Sequence, residues 1–84
     1  MEPLVFRGIA RHLIESYLQE LGGTLDEVRG RLAGHDWEAT VVSLPAERIG
    51  SLELPVVRVE LAGESKAVAA LVSRLRRKTF RGGG

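Results

Sequence analysis

Between Trp37 and Leu61 the chain is rich in β-branched and aliphatic residues, and two prolines interrupt it, at 45 and 55. This segment constrains the fold more than any other. Trp37 to Leu44 predicts a strand in which Trp37, Ala39 and Val41 share one face, because successive side chains of a strand point to opposite sides. Pro45 is expected to end it, since a proline cannot donate to the ladder. The stretch 45–51 reads as a loop or an irregular hairpin. Leu52 to Leu61 predicts the longest strand. Leu52 and Leu54 have one parity there, while Val57, Val59 and Leu61 have the other, with Pro55 at the break. A bulge at Pro55 would return both sets to one face. Two strands joined by so short a connection are antiparallel neighbours.

The flanks supply the other layer. Leu4-Val5-Phe6 follows Pro3 as a short strand. Ile9, Leu13, Ile14, Tyr17, Leu18 and Leu21 recur at three- and four-residue spacing, which predicts a helix over 9–21 that Gly22-Gly23 stops. Val28, Gly30 and Leu32 alternate with Arg29 and Arg31, which predicts a half-buried strand over 27–33 before a Gly34-His35-Asp36 turn. Val68, Leu71, Val72 and Leu75 form the stripe of a second helix, with Ser65 as its N-cap. The order is a short β-α-β-β-β-α: an α+β domain with an antiparallel sheet and two helices packed on one face. Residues 1–80 are expected to form a single compact domain, and 81–84 a flexible glycine tail.

With 84 residues and no cysteine, this core must be held by packing alone. Absent cysteine excludes a disulfide framework, a zinc ribbon, a thiolate nucleophile and an iron–sulfur site. Hydrophobic residues at 44% and charged residues at 27% suit a globular chain and not a disordered one. No apolar run reaches the roughly 18–20 residues of a membrane span, and Met1-Glu2-Pro3-Leu4 has no signal-peptide core. A cytoplasmic protein without a membrane partner is expected.

The chemistry-bearing residues are few. His12 sits on the polar face of the first helix and His35 beside Asp36 in a turn, without the converging ligands a metal needs. No serine lies in a nucleophile elbow, and no phosphate-cradling glycine motif is present. The expectation is no catalytic, cofactor-binding or metal-binding residue. The formal charge of +1 nevertheless conceals a division. Residues 1–65 carry six basic groups against eleven acidic ones, a net of −5, while 66–84 carry six basic groups and no acid. Arg74, Arg76, Arg77, Lys78 and Arg81 are therefore the candidate anion- or partner-binding residues. The same cations also stabilise the end of their own helix.

With Leu13-Ile14-Glu15-Ser16-Tyr17-Leu18 on the first helix and Arg76-Arg77-Lys78-Thr79-Phe80-Arg81-Gly82-Gly83-Gly84 at the end, the chain resembles a small uncharacterised bacterial domain associated with thermophiles. That domain is similar to the C-terminal appendage of proteins related to the molybdopterin synthase small subunit. The resemblance implies a TATA-binding-protein-like layout and an accessory link to sulfur-carrier and molybdopterin cofactor proteins. It attaches no functional motif, so no catalytic residue is carried over. The terminal Gly-Gly itself looks like that of ubiquitin-like sulfur carriers, whose exposed carboxylate is adenylated and thiocarboxylated. Those proteins begin with a hairpin around one central helix, unlike the order read here. The leading expectation is a small non-enzymatic protein-interaction domain, self-associating as a homo-oligomer or binding another protein. The alternative is a nucleic-acid-binding module in which the basic helix meets phosphates and Phe80 stacks on a base.

Overall fold

Five strands and two helices account for most of the chain: β1 (Leu4–Arg7), α1 (Arg11–Glu20), β2 (Thr24–Asp26), β3 (Arg31–Gly34), β4 (Trp37–Ile49), β5 (Leu52–Gly63) and α2 (Ser65–Gly83). The computed structural model describes residues 3–83, with side-chain surroundings through Phe80. The strands form one antiparallel sheet in the order β1-β5-β4-β3-β2, and both helices pack on one of its faces, as the α+β reading expects. The tail expected over 81–84 has its side chains outside the described residues, and Gly84 lies outside them altogether.

The core follows from strand parity. Leu4, Phe6, Leu32, Trp37, Ala39, Val41, Val57 and Val59 point to the helix side and are buried. Ile14 and Leu18 of α1, and Val68, Leu71 and Leu75 of α2, close over them. Helix α1 ends in a full Schellman motif: Gly22 N–H donates to Gln19 O at 3.1 Å and Gly23 N–H to Leu18 O at 2.9 Å. Gly22 takes the left-handed conformation this ending requires, with φ +104°.

Four local readings are corrected. The strand expected over 27–33 is a turn over 27–30 followed by β3 from Arg31, with β2 a separate strand before it. Asp26 Oδ1 accepts the Val28 and Arg29 amides at 3.1 and 3.3 Å, and Gly30 N–H returns to Asp26 O at 2.9 Å. This Asx turn outcompetes the apolar alternation and leaves Val28 96% exposed. Next, Pro45 does not end its strand. Leu44 pairs with Val56 and Glu47 with Leu54, so β4 absorbs one extra residue around Pro45-Ala46 as a bulge, where the missing N–H is tolerated. The bulge therefore lies in β4 and not in β5, and Leu52 and Leu54 stay on the face opposite Val57 and Val59. The segment 45–51 is the irregular hairpin expected: beyond the bulge it closes with Gly50 at φ +62° in the first position of a two-residue loop, the pattern of a type II′ turn. Finally, Glu64 and not Ser65 caps α2: its carboxylate accepts Ala67 N–H at 2.8 Å, and its carbonyl accepts Val68 N–H at 2.9 Å. Glu64→Ala is expected to lower the unfolding free energy by about 1 kcal/mol, read from urea titration, by loss of the cap and of an anion at the helix N-terminus.

Candidate interaction site

The basic residues of α2 do not form one patch. Arg74, Arg77 and Lys78 lie on the flank toward α1 and line a groove with Leu21. Lys78 Nζ binds Glu20 Oε2 at 2.7 Å and stands 5.9 Å from the centre of the Tyr17 ring. These cations sit at the C-terminal end of α1, where positive charge is favoured. Arg76 faces the other way, with Thr79 and Phe80 beside β1, in a shallow cleft of about 670 Å³. The side chain of Arg81 lies outside the described residues. The four described cations, close in sequence, are thus divided between two flanks by the helical turn, and Lys78 is already engaged.

The histidines join no larger constellation. His35 Nε2 lies 3.3 Å from Asp36 Oδ2 on an exposed turn, in a groove that Arg74 also lines. Among the described residues no three His, Cys, Asp or Glu side chains gather where they could hold a metal ion. No described helix is long and apolar enough to cross a membrane.

The face of the sheet away from the helices carries the feature that parity hid. Cross-strand partners share a face, and the pairs Val5–Arg58–Val42, Arg7–Val56–Leu44, Glu47–Leu54 and Ile49–Leu52 all fall on this open side. Leu52 and Ile49 at the hairpin tip are 64% and 56% exposed, and Val5 at the other end is 43% exposed. Leu54, Leu44 and Val42 are half-buried between them, and Val56 is buried. An apolar stripe therefore runs from the tip of the β4–β5 hairpin to the middle of the sheet.

Arginine–glutamate pairs border this stripe. Arg7 Nε donates to Glu47 Oε2 at 2.8 Å, Arg58 Nε lies 2.9 Å from Glu60 Oε2, and Arg31 approaches Glu38 at 3.8 Å. The Arg58 Nε–H is shielded from solvent and out of line for a hydrogen bond with that carboxylate. The stripe also extends past the rest of the sheet. Strand β1 pairs β5 only as far as Val56, and β3 pairs β4 only as far as Thr40, so residues 45–55 project as a two-stranded arm. The longest dimension of the described molecule is 41 Å, against 28 and 22 Å for the others.

Sequence reasoning placed the candidate site on α2 because charge is visible in composition. The stripe escapes that reading because a bulge at Pro55 would turn Leu52 and Leu54 into the core, whereas the extra residue lies in β4. The signal was present: the uniform parity of Leu52, Leu54 and Val56.

Residues 2–84 match the family model described as archaeal MoaD-like protein. No curated relative matches the sequence.

Proposed function

The chain belongs to the archaeal MoaD-like family, and from its open sheet face we propose that it is a non-enzymatic protein-interaction domain, an accessory among the sulfur-carrier and molybdopterin-related proteins. The apolar stripe carries this reading. An antiparallel sheet that faces water on one side alternates apolar-in and polar-out. Here the outward positions of β5 near the arm are Leu52, Leu54 and Val56. An apolar centre with a polar, ion-paired rim is the anatomy of a protein-binding surface. Nucleic acid would need surplus cations, whereas on this face each arginine stands beside a glutamate.

The test has two arms. Leu52→Lys with Leu54→Lys is expected to raise the precipitation threshold several-fold while leaving the thermal melt in place. Random single-stranded and duplex probes are expected to give no gel shift at about 50 mM salt, where phosphate contacts are strong. Unchanged solubility, or a shift that fades with salt, would replace this reading with the nucleic-acid one.

A second reading draws on the family match and the terminal Gly82-Gly83-Gly84. In it the chain is itself a sulfur carrier, with its terminal carboxylate converted to a thiocarboxylate. Intact-mass analysis of the protein from its native host would find sulfur in place of a terminal oxygen. An unmodified terminus under cofactor-demanding growth would remove this reading.

A further inference from the structure

Resting on the interaction-domain reading, we propose that the occupant of the stripe is a second copy of this chain, the two open faces meeting sheet on sheet across a two-fold axis. In such a pairing the same patch meets itself, so the patch must be compatible with its own charge. This one is. Arg7, Arg31 and Arg58 are balanced by Glu38, Glu47 and Glu60, and each pair runs across or along the strands where a rotated copy can exchange partners. A cationic or anionic partner would find no surplus charge of opposite sign here.

The excess of positive charge lies in the other layer, on α2. Face-to-face packing puts the two α2 helices on the outside. Sheets stack about 10 Å apart and helices lie about 10 Å beyond each sheet, so the basic helices are separated by roughly 30 Å. That is well beyond the screening length of about 8–10 Å at physiological salt. Pairing through α2 would instead bring like charges together.

One further observation fits a second sheet. The projecting arm, residues 45–55, has no flanking strand, and two-stranded hairpins are marginal in water when they stand alone. Leu44, Ile49, Leu52 and Leu54 of one copy, laid on those of the other, give the arm the second layer it lacks.

The full chain is to be studied by sedimentation velocity from about 1 to 200 µM, with hydrogen exchange measured at both ends of that range. The expected result is a dimer at the upper end, with amide protection in 42–56 that rises with concentration. Leu54→Asp should weaken the dimer at least about 30-fold, the scale of a buried interface residue. Leu13→Lys, on the exposed surface of α1, should leave it unchanged. A dimer whose protection maps to α2, or one that survives Leu54→Asp, overturns the proposal. A monomer at 200 µM also overturns it, and the arm then separates the two levels. Fast exchange in 45–55 leaves the face free for a different protein. Protection already present in the monomer removes the docking surface itself.

Discussion

Gly34→Val is expected to lower the melting temperature by about 10–20 °C. Gly34 pairs with Trp37 across the two-residue His35-Asp36 turn, and the indole folds back over the glycine. A Cβ at position 34 would fall among Cε2, Cζ2 and Nε1 of that ring. On its other side the ring covers Gly23, where an added Cβ would come within 2.7 Å of it and 2.9 Å of the Leu18 carbonyl. Trp37 is 7% exposed and packs in the core cluster, so displacing its ring disturbs that packing. Overpacking of this kind costs about 1–3 kcal/mol, and each kcal/mol moves the melting point of a domain this size by about 4–8 °C. Backbone strain is not the cause, because Gly34 lies outside the positive-φ set to which Gly22 and Gly50 belong. Gly34→Ala should therefore also destabilise, by less. Calorimetry of the two variants checks this. A melting point for Gly34→Val within 3 °C (about the effect of a neutral surface change) would mean that the indole does not hold its place over the turn.

These two glycines show why the fold was largely readable and the site was not. Helix α1 could be placed from Ile14 and Leu18, and its end from Gly22, because a helix and its stop are local events. Helix α2 and the core face of β4 followed from periodicity in the same way. The stripe depends on a non-local choice. Leu52, Leu54 and Val56 share parity in the sequence, but which side of the sheet they occupy relative to Val57 depends on which strand carries the extra residue. Pro45 and Pro55 both invited it, and only the pairing of Leu44 with Val56 and Glu47 with Leu54 decides between them. The basic residues failed for a simpler reason. Arg74, Arg77 and Lys78 are adjacent to Arg76 in sequence, but a rotation of 100° per residue sends Arg76 to the opposite flank. Val28 misled because alternation over a few residues carries no information about an aspartate that can cap the turn.

The parity of β5 makes the largest contrast available in this molecule. Val57→Asp is expected to abolish cooperative folding, while Leu54→Asp, three residues earlier, leaves the fold intact. Val57 is 1% exposed and packs in the core beneath the helices. A carboxylate there has no cation within the cluster of Leu4, Phe6, Ile14 and Leu75 that surrounds it. Its burial costs several kcal/mol, against a total stability of about 4–13 kcal/mol for a chain of this length. Leu54 faces the open side, paired with the exposed Glu47 on the arm, and its replacement should cost no more than about 1 kcal/mol. The measurement is near-UV circular dichroism of Trp37 with a urea titration. Val57→Asp should lose the aromatic signal at zero denaturant. Leu54→Asp should keep it, with an unchanged m value and a weakened self-association. Equal damage from both would place Leu54 in the core, return the bulge to Pro55, and take away the surface on which the interaction reading stands.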